Sequence, residues 1–116
     1  RLDLVVGQNG AETRLFRNRG AAAGLRVRLG GPAGNPAAVG ARVRWQQPGS
    51  PVHEVRAGGG YLSQDGATLV LGRPSDATVL EVRWPGRRGF EAHTVAREKS
   101  EVMLRPAETG TPVSAP

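Results

Sequence analysis

Apolar and polar residues alternate along most of the chain. Leu25, Val27 and Leu29 are separated by Arg26 and Arg28; Ala41, Val43 and Trp45 by Arg42 and Arg44; Leu80, Val82 and Trp84 by Glu81 and Arg83. A period of two places one set on each face of a strand, so each run reads as a strand with one buried and one wet side. No long stretch carries a helical stripe. Turn signals separate the runs: Gly30-Gly31-Pro32, Gly34-Asn35-Pro36, Pro48-Gly49-Ser50-Pro51, Gly58-Gly59-Gly60, Asp65-Gly66, Arg73-Pro74-Ser75-Asp76 and Pro85-Gly86. The pattern predicts strands near 3–6, 13–17, 25–29, 39–46, 52–56, 67–71, 78–84, 91–95 and 101–105. Short strands at this spacing predict an all-β fold, an antiparallel β-sandwich or small barrel. Its core should hold Leu25, Val27, Leu29, Val43, Trp45, Val55, Leu69, Leu71, Leu80, Val82, Trp84, Val102 and Leu104.

The two ends differ from the middle. Residues 1–18 read as a hairpin turning at Gln8-Asn9-Gly10, and residues 19–24 as a linker. The β domain is then expected over 25–105. From Pro106 to Pro116 the chain is Pro, Thr, Ser, Ala and Gly with one Glu and one Val, and this predicts a disordered tail.

Size and charge narrow the field. A chain of 116 residues suits one domain with one core. With no cysteine, disulfides and thiolate chemistry are excluded. No apolar run approaches the roughly 18 residues that span a bilayer as a helix. The chain opens Arg1-Leu2-Asp3, with neither Met nor a signal peptide, and we expect a cut N-terminus. Net charge is +6, and Lys99 is the one lysine among 16 basic residues. High Arg, Gly, Ala, Pro and Val together suit a GC-rich bacterial coding sequence better than a selected nucleic-acid footprint. The few aromatic residues leave few platforms for base stacking, so nucleic acid ranks last among partners.

Several residues carry two readings each. Tyr61, Ser63 and Gln64 follow three glycines and form either a ligand loop or a turn whose polar side chains serve its own backbone. Asn35, between Gly34 and Pro36, is either a turn residue or a contact beside that loop. Arg42, Arg44 and Arg83 share the wet phase of their strands, as do Arg26 and Arg28. They form either a cationic stripe for sulfate, phosphate or carboxylate groups, or a solvated surface that Glu54 and Glu81 pair across strands. Trp45 and Trp84 fall on the buried phase, and a stacking role would require an open indole face. His53 and Glu54 are adjacent in one strand and face opposite ways, a poor dyad. No nucleophile elbow and no His-x-x-x-His pair occurs. The chain alone is therefore read as noncatalytic.

Six segments, in order and spacing, resemble the ASPIC/UnbV domain found at the C-terminus of proteins similar to cartilage acidic protein. They are GLRVRLGG (24–31), GNPAAVGARVRW (34–45), Glu54-Val55-Arg56, GGGYLSQ (58–64), LVLGRPSDA (69–77) and VLEVRWPG (79–86). Two departures stand out. Asn35-Pro36 replaces the family's frequent Asn-Arg, and Thr68 to Gly72 replaces a His-Phe-Gly-Leu-Gly stretch, so the family's histidine has no counterpart. Residues 2–18, LDLVVGQNGAETRLFRN, resemble the end of a VCBS or FG-GAP repeat, a blade of a β-propeller.

The resemblance implies a binding module at the end of a propeller protein, extracellular or on the cell surface. Its partner would be the upstream propeller, another protein chain or an acidic glycan; homo-oligomers and strand addition are further forms of assembly. No cofactor is expected within this chain. The FG-GAP likeness implies that Asp3 could complete a calcium site with upstream residues, since calcium takes six to eight oxygens. The alternative is a cytoplasmic subunit or fragment of an enediyne-type biosynthetic enzyme, with its site at the junction of propeller and domain.

Overall fold

The alternating runs become strands. The computed structural model describes residues 1–108, which hold nine strands and no helix. They are β1 (Leu4–Gln8), β2 (Ala11–Phe16), β3 (Leu25–Leu29), β4 (Arg42–Trp45), β5 (His53–Glu54), β6 (Leu69–Leu71), β7 (Val79–Arg83), β8 (Glu91–Thr94) and β9 (Glu101–Leu104). Each lies at a position the periodicity predicts. Residues 109–116, most of the expected tail, lie outside the described residues.

Two sheets form the sandwich. One is ordered β6-β3-β9 and the other β5-β4-β7-β8. The four-stranded sheet is antiparallel throughout, with Val43 opposite Val82 and Trp45 opposite Leu80. In the three-stranded sheet β3 pairs antiparallel with β6 but parallel with β9, running from Arg26 opposite Glu101 to Leu29 opposite Leu104. That parallel pair departs from the all-antiparallel expectation. Hairpin turns enforce antiparallel pairing only between close neighbours in the chain, and β3 and β9 are far apart in sequence.

The core lies where the alternation places it. Leu25, Val27, Leu29, Leu71 and Leu104 from one sheet are buried with Val43, Trp45, Leu80, Val82 and Trp84 from the other. Val55 is buried as expected, whereas Leu69 and Val102 are half-buried and pack on the margin. Ala38, Ala77 and Val95 join the core without having been expected there, and so does Ala41 on the buried phase of its run. Each fully buried Leu or Val contributes roughly 1.5–3 kcal/mol of transfer free energy.

The β1–β2 hairpin stands apart. Leu4 faces Phe16 and Val5 faces Leu15 across the pair, and the loop between Gln8 and Ala11 is Asn9-Gly10, a dipeptide suited to a two-residue hairpin turn. Almost every residue of the hairpin is exposed. The radius of gyration is 16.3 Å, above the roughly 13 Å of a compact chain of this length, as a projecting arm requires.

Candidate functional site

Register decides which arginines meet on the outer face of the four-stranded sheet. Arg42 is opposite Arg83 on β7 and Glu54 on β5, while Arg44 is opposite Glu81. Arg44 is consumed locally. Its Nε donates to Glu81 Oε2 at 2.6 Å, and its guanidinium lies 4.1 Å from the centre of the Phe90 ring. Gln46 donates to the other Glu81 oxygen at 3.2 Å. Glu54 is shared more loosely, 3.8 Å from Arg42 and 3.9 Å from Arg56. Arg83 makes no ion pair among the described residues. The stripe is thus partly neutralised by cross-strand carboxylates, as one of the two readings foresaw. What remains is a like-charged neighbour pair, Arg42 and Arg83, with one half-buried carboxylate beside it. Like charges directly opposite are destabilising by themselves, and an external anion would relieve them.

The Tyr61 loop is a separate feature. Gly60 and Ser63 pair across a tight turn, with the Gly60 N–H donating to the Ser63 carbonyl at 3.3 Å. A Cβ on Gly60 would lie 2.2 Å from Ser63 Oγ, so a side chain there would force the Ser63 hydroxyl to swing away. Ser63 therefore folds back on its own loop. Tyr61 and Leu62 form the tip, 92% and 93% exposed, and Leu62 has a φ of 48°. A bulky residue in that region of backbone space is uncommon. Gln64 is exposed as well. Below the tip, Gly59 and Asp65 border a cleft of about 370 Å³ with Glu54 and Arg56, which Tyr61, Ser63 and Gln64 do not line.

Asn35 serves its own loop. Its Oδ1 accepts from the Val39 N–H at 2.9 Å and its Nδ2 donates to the Val39 carbonyl at 3.0 Å. Asp3 likewise accepts the Asn18 N–H at 2.7 Å and closes the base of the hairpin. Among the described residues no cluster of three or more acidic or His groups surrounds it, so these residues by themselves do not fit calcium. Both tryptophans are 3% exposed. Trp45 Nε1 donates to the Gly72 carbonyl at 2.8 Å, and Trp84 Nε1 to Glu91 at 2.9 Å. The indoles are core, not open platforms.

Two polar clusters escaped the sequence reading. Arg73 donates to four carbonyls, those of Ala77, Val95, Arg97 and Lys99, at 2.8–3.2 Å. It ties the loop before β7 to the loop before β9. Glu91 gathers the Trp84 indole, the Arg87 guanidinium and, at 3.2 Å, the Ala107 N–H, while Arg87 also donates to the Ala107 carbonyl at 2.9 Å. The chain after β9 is thereby clasped to β8 at Ala107. His93 Nε2 is buried without a hydrogen-bond partner, 3.7 Å from Glu91. Burial lowers the His93 pKa below its usual 6.5, and the neighbouring Glu91 charge opposes that shift.

The candidate residues are therefore spread over distinct places. Arg42, Arg44 and Arg83 share a face; Tyr61, Ser63 and Gln64 share a loop; Asn35 and Asp3 brace separate turns. Among the described residues no helix is long and apolar enough to cross a membrane. The family model described as ASPIC and UnbV matches residues 31–108, more than half of the chain. No curated protein and no solved structure matches it.

Proposed function

The chain belongs to the ASPIC and UnbV family, and from that premise and its geometry we infer that it is a noncatalytic interaction module. The observation that carries this reading is the hairpin. Leu2, Leu4, Val5, Leu15 and Phe16 are all 51–68% exposed. Adjacent positions such as Leu4 and Val5 point to opposite faces, so both faces are apolar. A lone two-stranded hairpin is marginal in water, and apolar surface on both sides suits strands enclosed within a larger β structure. The occupant we assign is a β-rich neighbour that takes the hairpin as added strands, an upstream propeller of the same extracellular or surface protein.

Hydrogen exchange on this chain alone and on the longest natural form of the protein tests the reading. The β1–β2 amides are expected to exchange freely in the first and to be protected in the second. Equal exchange in both would sink it.

A second contact is favoured by the Arg42–Arg83 pair. These neighbouring guanidiniums suit sulfate or carboxylate groups of an acidic glycan or an acidic protein surface. Binding to a sulfated glycan, compared with its desulfated form, should fall when Arg42 and Arg83 are both changed to Gln. An Arg44→Gln control should bind normally, because Glu81 already occupies that side chain. Indifference to the double change removes this contact from the proposal.

A further inference from the structure

The C-terminal ends of β3, β7 and β9 converge at one rim of the sandwich. Between them lies a groove of about 520 Å³, a size typical of small-molecule sites. Three proline rings, Pro32, Pro85 and Pro106, line it, with the edge of Trp84 behind them. Two guanidiniums, Arg87 and Arg105, also line it.

The two arginines are not equivalent. Arg87 is engaged by Glu91 and by the Ala107 carbonyl, so its charge is largely answered from within. Arg105 is exposed and makes no ion pair among the described residues, even with Glu108 nearby in sequence. It is nevertheless positioned. A Cβ on Gly30 would lie 2.9 Å from Arg105 Nη1 and 3.3 Å from its Cγ, so the side chain rests directly against the bare Gly30 backbone. Gly30 itself is anchored by its N–H to the Leu104 carbonyl at 2.8 Å. Asn35, also on the groove wall, is held by its two hydrogen bonds to the Val39 backbone. Among the described residues the rim thus offers apolar ring-shaped walls and a single planar cation without an ion-pair partner.

We propose that this groove binds a small ring-bearing carboxylic acid, its ring between the proline side chains and its carboxylate on Arg105. One carboxylate matches one free guanidinium, which can hold it through two parallel N–H donors. A multiply charged anion would find no second free cation among the lining groups, so this site is distinct from the Arg42–Arg83 face. The proposal does not depend on the hairpin or on any glycan.

Titration of the isotope-labelled chain with 2-naphthoate, and in parallel with 2-naphthamide, tests it by amide and indole NMR shifts. Naphthoate is expected to give saturable shifts at the Gly30 and Gly31 amides and the Trp84 indole N–H. The neutral naphthamide should bind about tenfold more weakly or worse, because it lacks the charge-assisted bonds. Arg105→Gln should weaken naphthoate by a similar factor, and Arg42→Gln should leave it unchanged. Gly30→Ala keeps every charge but pushes Arg105 aside, and should also weaken naphthoate; it serves as the second variant should Arg105→Gln perturb the fold. Naphthoate that never saturates, naphthamide that binds equally well, or shifts at the Arg42 strand instead of the groove would each overturn the proposal.

Discussion

At the scale of single residues, two polar side chains away from the candidate sites bear on stability. Arg73 sits in a turn, yet four carbonyls from two loops converge on it and it lies 5.2 Å from the Trp45 ring. Replacing it by Ala leaves those carbonyls short of donors, and hydrogen bonds to a charged group contribute about 1.5–3 kcal/mol. Arg73→Ala is therefore expected to lower the unfolding free energy by about 2 kcal/mol or more in urea titrations. Arg73→Lys should recover only part of it, since an ammonium cannot span the same fork. His93 adds a pH dependence. Its pKa is lowered in the folded state, so the unfolded chain binds the extra proton more readily. Stability from this group is complete above the unfolded value of 6.5 and is lost as pH falls below it toward the folded value. His93→Leu should flatten the stability profile between about pH 7 and 5; an unchanged slope would assign that dependence to other groups. The partners of neither residue were legible in advance. A turn arginine and a strand histidine acquire partners only when distant loops meet, and nothing in local spacing reports that meeting.

At the scale of elements, legibility was high for a definite reason. Every strand with one wet face carries its own signature, and β3, with Leu25, Val27 and Leu29 buried and Arg26 and Arg28 exposed, is the plainest case. The misses are instructive. Ala38, Ala41 and Ala77 are buried, but alanine carries too little apolar surface to announce it, and Ala38 lies in a loop with a φ of 52°. The candidate sites were less legible. Tyr61, Ser63 and Gln64 left two readings open, a ligand loop or a turn serving its own backbone; all three are exposed, and the Gly60–Ser63 pairing across the turn is what the second reading describes. The groove by Arg105 was invisible, because Gly30, Pro85 and Arg105 come from three separate strand ends. The hairpin was recognised, and its independence makes a prediction. Since β1 and β2 pair only with each other, deleting residues 1–18 should leave the sandwich's thermal midpoint within about 2 °C, a change of only a few tenths of a kcal/mol for a domain of this size. The same deletion should reduce self-association in sedimentation, because it removes the exposed apolar arm. A large drop in the midpoint would show that the arm packs on the sandwich in solution.

At the scale of the whole molecule, the sandwich is closed by its most distant partners. Arg26 pairs with Glu101 although 75 positions separate them (101 − 26), and Leu104 enters the core only through that parallel register. The Arg28–Glu101 ion pair at 3.0 Å lies on the same seam, but it is exposed and contributes little. Burial at this seam is favourable only after a long loop has closed, and closure entropy grows with loop length. Chains dominated by such non-local pairing fold slowly. Refolding by stopped flow should therefore occur in roughly the millisecond-to-second range, because the local β4–β5 and β7–β8 hairpins become a closed sandwich only when the distant β3–β9 pairing forms. Leu104→Ala separates the possible orders of assembly. If β9 docks last, the substitution should mainly accelerate unfolding while refolding keeps its rate. The loss of stability should be about 2–5 kcal/mol, the usual result of cutting a buried Leu back to Ala. Refolding slowed by the full equilibrium loss would instead place the β3–β9 seam in the nucleus, and the two sheets would then form around their longest-range contact.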